Sequence, residues 1–348
     1  MLDVGLIGFG FAGKVFHAPV IRAVAGLRLT TIVQRSGEGS SDAPYADVRF
    51  VRSVDELLTS PPRPVDLVVI ATPNTSHFPL AKQCLLAGRH VVVDKPFTTT
   101  VAEAEQLIRL AGERQRVLSV YQNRRHVTDF VTLQGLLADG VLGRVTSCES
   151  HFDRFRPELR PGAWREQPGP GAGVWFDLGP HLLDQAFVLF GLPQAISADI
   201  RIEREGAAVD DAFDVMLHYP RMRALLRATL LAAAPGPSFA VHGTKGSFVK
   251  YGVDPQEAAL KAGGTPGEAN WDVEPPERYG TLTTPEGTRP VCSIPSSYAH
   301  YYANVRDAVL GNAPLAVAPE QALDVMRGLE LAVTSSRECR VVPWRSSW

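Results

Sequence analysis

Short apolar runs alternate with longer amphipathic stretches through the first third of the chain. The apolar runs, rich in Val, Ile and Leu, are 2–7, 29–33, 48–51, 65–71, 90–94 and 117–120. The stretches between them with the apolar spacing of helices are 13–24, 76–87 and 101–113. Apolar strands separated by helices are typical of a parallel sheet covered on both faces. The pattern predicts a doubly wound α/β domain over residues 1–121.

After residue 121, apolar and polar positions alternate over longer segments. These segments are 144–155, 195–203, 213–219, 224–231, 239–242 and 247–251. A period of two predicts strands with one covered face, and hence a large, mainly antiparallel sheet. Helices are predicted at 129–139, 176–190, 298–310 and 319–337. We therefore expect an α+β domain over residues 122–318, followed by a helix and tail over 319–348 that close the chain.

The composition is that of a folded globular protein. The 348 residues are 45% hydrophobic and 21% charged, which excludes the disordered, collagen-like and coiled-coil classes. The 35 basic and 37 acidic side chains leave a formal net charge of -2. A general attraction to nucleic acid or to an anionic membrane is therefore excluded, and we expect the function to come from a local site.

The sequence also favours a cytoplasmic location. No apolar run approaches the roughly 20 residues of a transmembrane helix, and the first residues lack the pattern of a secretory signal. The four cysteines, Cys84, Cys148, Cys292 and Cys339, are far apart in the sequence. Their spacing indicates neither a zinc site nor a disulfide scaffold, so we expect reduced thiols.

A glycine motif follows the first predicted strand and precedes the first predicted helix. It has the form G-x-G-x-x-G, and the residues expected to contact a cofactor are Gly8, Gly10, Phe11, Ala12 and Gly13. In this strand, turn and helix context the motif indicates a Rossmann dinucleotide site, with the pyrophosphate at the amino terminus of the helix. The alternative is that the three glycines form an ordinary turn between a strand and a helix.

The end of the second predicted strand favours NADP over NAD. An NAD-specific enzyme usually has Asp or Glu there, to bind the ribose 2'-hydroxyl, whereas this chain has Arg35 and Ser36. A guanidinium and a hydroxyl suit a 2'-phosphate. Alternatively, Arg35 stacks on the adenine or faces water. NAD stays possible as a cofactor.

Further motifs resemble the Gfo/Idh/MocA family of dehydrogenases over nearly the whole chain. They are Ala71-Thr72-Pro73-Asn74-Thr75-Ser76-His77, Val92-Val93-Asp94-Lys95-Pro96-Phe97, Tyr121-Gln122-Asn123-Arg124-Arg125, residues 150–157, Trp164-Arg165-Glu166 and Phe176-Asp177-Leu178-Gly179-Pro180-His181. Within the family, the sequence looks most like the branch of the YdgJ-type oxidoreductases and an NADP-dependent scyllo-inositol dehydrogenase. The resemblance implies that the cofactor is also contacted by Thr72, Pro73, Asn74, His77, Asp94, Lys95, Asn123, Trp164 and Arg165.

One position departs from the family pattern. The usual E-K-P triplet is here Asp94-Lys95-Pro96, so the acid is one carbon shorter and any contact with the cofactor ribose needs a different geometry. Lys95 is intact, at the carboxyl end of a predicted parallel strand, which is the edge where open α/β sheets bind ligands.

Three residues are the candidates for catalysis. Asp177 and His181 are four positions apart on a predicted helix, so their side chains can share one face. By resemblance, His181 is the acid/base, Asp177 orients the substrate or tunes the imidazole, and Lys95 stabilises negative charge on the substrate oxygen. The alternatives are that Asp177 is the helix N-cap, because Pro180 fits best in a first turn, and that His181 is a satisfied core histidine.

Asn123, Arg154 and Trp164 complete the predicted substrate pocket with Asp177 and His181. Arg and Asn suit a hydroxyl-rich ligand, and Trp suits the apolar face of a sugar ring. The long Pro- and Gly-rich segment 156–173 also suggests a binding loop. Alternatively, Arg154 pairs with Asp153 or Glu149, and Trp164 belongs to the core.

A metal site is conceivable by ligand type in two places. The two candidate sets are Asp177, His181 and Asp184, and Glu149, His151 and Asp153. The second set more plainly forms one polar face of a strand, and we expect no metal.

The predicted activity is reversible hydride transfer between a ring secondary alcohol of a sugar or cyclitol and the nicotinamide. Two alternatives are a glycoside hydrolase of the same family that uses a tightly held NAD, and a non-catalytic NADP-binding sensor. The resemblance also implies a homo-oligomer, a dimer or tetramer, assembled through the second sheet.

Overall fold

Six parallel strands form the first sheet of the computed structural model, which describes residues 1–35, 45–59, 64–160, 162–269, 271 and 273–344. The strands are β1 (Leu2–Ile7), β2 (Leu27–Val33), β3 (Arg49–Val51), β4 (Leu67–Ile70), β5 (His90–Val93) and β6 (Leu118–Val120). Their order is β3-β2-β1-β4-β5-β6, and every adjacent pair is parallel. This is the Rossmann order, in which ligands bind beyond the carboxyl ends of β1 and β4. The predicted parallel sheet is confirmed.

The crossover helices pack against the apolar strands. They are α1 (Ala18–Arg22), α2 (Val54–Thr59), α3 (His77–Leu86) and α4 (Val101–Glu113), and a π-helical segment, Gly13–His17, leads into α1. The N-cap of α4 is Thr100, whose hydroxyl accepts the amide of Glu103 at 3.2 Å. The side chain of Glu103 in turn accepts the amide of Thr99 at 3.1 Å. These bonds satisfy amides that have no partner within the helix.

The chain forms two compact units, and the first takes segments from three parts of the sequence. These are Met1–Asn123, Gln256–Trp271 and Ser297–Leu323. The later segments contain α7 (Gln256–Lys261) and α8 (Ala299–Val309). Fully buried Gln256 joins them, because its side-chain oxygen accepts the Tyr298 amide at 2.8 Å and the Trp271 indole N-H at 3.3 Å. On α8, Tyr301 donates to the Ser119 hydroxyl of β6 at 2.9 Å.

The second unit comprises Arg124–Pro255, Asp272–Ser296 and Asp324–Trp348 and contains a sheet of nine strands. The strands are β7 (Val145–His151), β8 (Ala195–Arg201), β9 (Ala212–Tyr219), β10 (Met222–Thr229), β11 (Phe239–Gly243), β12 (Ser247–Lys250), β13 (Gly280–Thr284), β14 (Gly287–Val291) and β15 (Val342–Pro343). Their order is β14-β13-β12-β11-β7-β10-β9-β8-β15. Among these strands only β7 and β10 pair in parallel. The mainly antiparallel sheet is confirmed, and β13 and β14 extend it beyond the segments predicted from the sequence.

Further helices are α5 (Thr128–Ala138), α6 (Gly173–Phe190) and α9 (Pro319–Glu338). Helix α6 packs on β9 and β10. Its anchor is Trp175, which is fully buried and meets the ring of Phe213 edge to face, with 4.7 Å between centroids. Gly179 makes room for this indole, since a Cβ at Gly179 would lie 2.5 Å from Trp175. None of the helices in the described ranges is long and apolar enough to cross a membrane.

Helix α6 begins three residues earlier than predicted, and this changes the interpretation of Asp177. The helix starts at Gly173, so Asp177 lies within it and is not the N-cap. Pro180 is inside the helix rather than in its first turn. Because proline has no amide hydrogen, the carbonyl of Phe176 loses its usual partner within the helix. The alternative that Asp177 serves as the cap is therefore wrong.

Candidate active site

The glycine motif after β1 forms a cradle that fits a pyrophosphate. Gly8 has a φ of +98°, which favours glycine. A Cβ at Gly13 would lie 2.0 Å from the carbonyl oxygen of Gly8, so the helix and the turn approach as closely as only glycine permits. A Cβ at Gly10 would meet nothing within 4 Å, so the backbone there is open to a ligand. Open space and helical amides at one point suit a phosphate group.

The residues between the glycines have separate surroundings. Phe9 is buried and packs edge to face against Tyr45 and Phe50, with centroids 5.3 and 5.5 Å away, which anchors the turn. Phe11 is 62% exposed and packs on Phe16. Phe11 and half-buried Ala12 therefore lie on the accessible side of the turn.

The end of β2 carries positive charge. Arg35 is exposed, and the guanidinium of Arg52 donates to the carbonyl of Gln34 at 3.2 Å. Arg52 was not identified from the sequence, because it is 17 residues beyond Arg35 and comes close only through the pairing of β2 with β3. Ser36, the other predicted 2'-phosphate ligand, lies outside the described residues.

His77 joins the loops that follow β4 and β5. It is fully buried, with Nδ1 2.9 Å from the carbonyl oxygen of Pro96 and Nε2 2.9 Å from that of Thr72. Burial lowers the pKa of His77. A neutral imidazole donates from only one nitrogen, so the ring donates to one of the two carbonyls and packs against the other, between the two loops. Buried Asn74 and the intervening Pro73 belong to the same loop.

The carboxylate of Asp94 faces the interior of its own unit. One oxygen accepts the amide of Lys95 at 2.8 Å, and the other lies 3.7 Å from Nε2 of fully buried His17. Nδ1 of His17 lies 2.6 Å from the hydroxyl of Tyr302. Burial acts to raise the pKa of Asp94, but the interactions with His17, Lys95 and His77 outweigh it and hold the pKa below its ordinary value. His17 was not identified from the sequence, because it is 77 residues from Asp94 in the chain. Asn123, the last residue of the first compact segment, follows β6 and is buried.

In the second unit, Asp177 meets residues of the predicted binding loop. The guanidinium Nε of Arg165 lies 3.3 Å from the carboxylate of Asp177. The same guanidinium lies over the indole of Trp164, 4.4 Å from the ring centroid. Both residues are in the 3-10 turn Trp164–Glu166. Trp164 is half-buried, so the alternative of a fully buried core residue is not met.

His181 lies one helical turn beyond Asp177 and is 7% exposed. Its ring is nearly parallel to that of Phe152, with centroids 6.3 Å apart and an interplanar angle of 25°. The guanidinium carbons of Arg124 and Arg154 are 4.8 and 4.9 Å from the centroid of Phe152. An imidazole is thus placed on an aromatic wall that also carries two cations.

The carboxylates considered as metal ligands have other partners. Asp184 accepts two hydrogen bonds from Arg125, at 2.6 and 2.8 Å. Glu149 and Asp153 lie 3.6 and 3.1 Å from opposite nitrogens of His151. Within the ranges that the structure describes, no group of three His, Cys, Asp or Glu side chains is arranged to hold a metal ion.

Comparison with known proteins places both parts of the chain. Residues 2–122 match a family model described as an NAD-binding Rossmann fold of an oxidoreductase family, and residues 134–344 match the C-terminal α/β domain of that family. The "Uncharacterized oxidoreductase YdgJ" of Escherichia coli is 48% identical over 97% of this chain and 96% of its own length. The "scyllo-inositol 2-dehydrogenase (NADP(+)) IolW" of Bacillus subtilis is 37% identical over 98% of this chain and 95% of its own length.

Solved structures agree with this placement. The oxidoreductase yvaA of Bacillus subtilis superposes with a TM-score of 0.94 at 36% identity, over 99% of this chain and 98% of that one. An oxidoreductase of Klebsiella pneumoniae gives a TM-score of 0.91 at 42% identity, over 99% of this chain and 96% of that one. The protein is therefore a member of the Gfo/Idh/MocA family of oxidoreductases, with an NAD(P)-binding Rossmann domain.

Proposed function

We propose that this protein is an NADP-preferring dehydrogenase that interconverts a ring secondary alcohol of a sugar or cyclitol and the corresponding ketone. The observation that carries the proposal is the arrangement on α6, where Asp177 contacts Arg165 and His181 lies one turn away on the wall of Phe152. This arrangement belongs to a chain whose other unit has an open glycine cradle. The name of the relative IolW, an NADP-dependent inositol dehydrogenase, supports the same substrate class.

The proton is handled by His181. Oxidation of an alcohol requires removal of the hydroxyl proton, and an imidazole accepts and returns a proton near neutral pH. The nicotinamide, when bound, supplies the carbon that accepts the hydride. Asp177, held by Arg165, orients the substrate hydroxyls and tunes His181, and the ammonium of Lys95 stabilises negative charge on the substrate oxygen. Arg154, Trp164 and Asn123 provide donors and an apolar wall for the ring.

The preference for NADP is assigned to positive charge at the end of β2. Arg35 supplies a planar donor group for the 2'-phosphate, Ser36 supplies a hydroxyl, and Arg52 adds a second guanidinium through its bond to Gln34. The pyrophosphate is bound by the glycine motif, through Gly8, Gly10, Phe11, Ala12 and Gly13. At the ends of β4 and β5 the cofactor is bordered by Thr72, Pro73, Asn74 and Asp94. The buried side chain of His77 packs against the loops that carry these residues. Trp164 and Arg165 also contact the cofactor.

The test is a spectrophotometric screen for cofactor reduction. Purified protein is mixed with NADP or NAD and a panel of inositols, aldoses and anhydro-sugars, and absorbance of the reduced nicotinamide is followed. We expect reduction with one stereochemical group of substrates and a higher kcat/KM with NADP. Hydrolysis of chromogenic glycosides without net reduction would overturn the proposal in favour of a hydrolase. NADPH binding without turnover of alcohols or keto-sugars would favour a sensor.

We also infer a cytoplasmic homo-oligomer, a dimer or tetramer assembled through the nine-stranded sheet. Met216 and Leu225 are paired directly across β9 and β10, and both are half-exposed on the face that points away from α6. An apolar patch within a polar sheet face suits contact with a second copy. Light scattering of the wild type and of Leu225→Glu tests this, because a charge there should favour the monomer.

A further inference from the structure

Arg204 is a buried cation that the proposed reaction does not use directly. It lies between β8 and β9, and its side chain is only 2% exposed. Removing a guanidinium from water is costly unless hydrogen bonds and an opposite charge replace the lost hydration. The hydrogen-bond and ion-pair partners of Arg204 therefore indicate its structural role.

The guanidinium connects three segments of the second unit. Its Nε donates to the carboxylate of Asp211 at 2.9 Å, within the β8–β9 connection. Its Nη1 donates to the carbonyl oxygens of Arg156 and Glu158, at 3.3 and 3.1 Å. Its Nη2 lies 3.5 Å from the carboxylate of Glu166. We call residues 156–160 and 162–166 together the Trp164 loop. One planar group thus contacts both the beginning and the end of this loop.

Asp211 is itself fixed by the backbone. Its two carboxylate oxygens accept the amides of Glu203 and Arg204, at 2.7 and 3.1 Å, and the residue is 1% exposed. At the far end of the loop, Glu166 also accepts the amide and the guanidinium of Arg160, at 3.0 and 2.7 Å. Both ends of the loop are therefore bonded to the β8–β9 connection through Arg204, and they are bonded to each other through Arg160 and Glu166.

The same turn fixes the start of the helix that carries the catalytic residues. The carboxylate of Asp210 accepts the amide of Trp175 at 2.6 Å, and its carbonyl accepts that of Val174 at 2.9 Å. A Cβ at Gly173 would lie 2.0 Å from the Asp210 carboxylate, so the contact is close. Asp210 thus fixes the start of α6, and the neighbouring Asp211 fixes the Trp164 loop through Arg204. The helix and the loop are therefore positioned by the same turn. In this arrangement the guanidinium of Arg165 contacts the carboxylate of Asp177.

We propose that Arg204 and Asp211 are positioning residues for substrate recognition. They hold Trp164 and Arg165 against Asp177, and so set the affinity for the hydroxylated ring. This inference rests on the proposed function. It requires the planar fork of arginine, because a lysine ammonium is a single point of charge that cannot reach all four acceptors together.

The test compares Arg204→Lys, Arg204→Met and Asp211→Asn with a matched control, Arg201→Met. Arg201 is an exposed arginine at the end of β8 whose guanidinium contacts Asp199. Four quantities are measured at a temperature where every variant is folded: KM and kcat for the substrate, the Kd for NADPH, and the rate of tryptic cleavage after Arg165. Arg156 and Arg160 each precede proline and resist trypsin, so Arg165 reports on the loop.

We expect Arg204→Lys to raise KM by about tenfold or more, with a smaller fall in kcat and faster cleavage after Arg165. The Kd for NADPH should rise by less than KM, because Trp164 and Arg165 contact the cofactor but the glycine motif that binds the pyrophosphate is unchanged. Arg204→Met should show larger changes of the same kind, and the control none. If Arg204→Met does not fold, Arg204→Lys and Asp211→Asn carry the test.

Wild-type KM in Arg204→Lys and Asp211→Asn, or a raised KM without faster cleavage, would overturn the inference. If the wild type oxidises no alcohol, the proposed function has failed. The cleavage rate then still decides the structural role: faster cleavage in Arg204→Lys but not in the control supports the holding of the Trp164 loop by Arg204, and equal rates refute it.

Discussion

The same added methyl group should affect stability differently at the two glycines of positions 10 and 13. In Gly13→Ala the new Cβ would lie 2.0 Å from the carbonyl oxygen of Gly8, whereas an ordinary carbon to oxygen contact is about 3.3 Å. The obstacle is backbone, so the helix must move away from β1 by about 1 Å. Overpacking of this kind costs about 1–3 kcal/mol, and we expect a value near the upper end.

The loss of stability should be visible as a fall in Tm. At about 2–4 °C for each kcal/mol in a domain of 150–250 residues, about 3 kcal/mol corresponds to a Tm lower by roughly 6–12 °C. NADPH affinity should fall as well, because the helix amides no longer face the turn. Urea unfolding and thermal melts measure the first effect, and quenching of intrinsic fluorescence by NADPH measures the second.

Gly10→Ala is the matched control. Its Cβ meets nothing within 4 Å, so stability should stay the same or rise by up to about 1 kcal/mol, because alanine has less freedom in the unfolded chain. NADPH affinity should nevertheless fall at least about tenfold, since the methyl group occupies the closest approach of the pyrophosphate. Unchanged stability in Gly13→Ala together with unchanged affinity in Gly10→Ala would refute the cradle.

Four further predictions concern catalysis, cofactor choice and pH. His181→Ala should lower kcat by about 10²–10⁴ and leave the Kd for NADPH unchanged; equal loss of both would mean a structural histidine. Arg35→Asp should lower the ratio of kcat/KM for NADP over NAD by at least about tenfold, and an unchanged ratio would discard the 2'-phosphate contact. Lys95→Met should fold normally, as judged by its Tm, and lose about 10²-fold in rate; full activity would contradict its role. Burial and the nearby charge of Asp254 raise the pKa of Asp129 to about 6. Because the folded state then favours the protonated form, Asp129 should contribute a fall in stability of at most about 3 kcal/mol as pH rises from about 4 to 6. Burial also raises the pKa of Asp210 to about 6, so urea unfolding of Asp129→Asn across this range should show a smaller fall than the wild type, and an equal fall would refute the assignment.

Local sequence pattern was sufficient for the Rossmann sheet and its phosphate loop. Buried parallel strands are continuous apolar runs, and the glycine motif lies between a strand and a helix where the backbone must approach closely. Both features can therefore be recognised from neighbouring residues alone, without knowledge of distant contacts. The strand β1 and the helix α4 have the predicted bounds. Asp177 and His181 also share a helix, as their spacing predicted.

Edge strands and helix starts were less predictable. Strand β14 is almost wholly exposed, so it has no apolar alternation to detect, and it forms because β13 offers an edge to pair with. The first residue of α6 depends on Asp210, whose carboxylate accepts an amide 35 positions away in the sequence. No local rule could have moved the helix start from Phe176 to Gly173.

The sequence by itself determined the class of fold, the family and the residue types from which a proton-transfer site could be built. Only the tertiary structure decided their surroundings. It turned Asp94 towards His17, brought Arg52 to the end of β2, and placed Arg204 between the two ends of a loop. The physical reason is that a buried charge must find its partners wherever the fold supplies them. Those partners are set by strand pairing and packing between residues that are far apart in the chain.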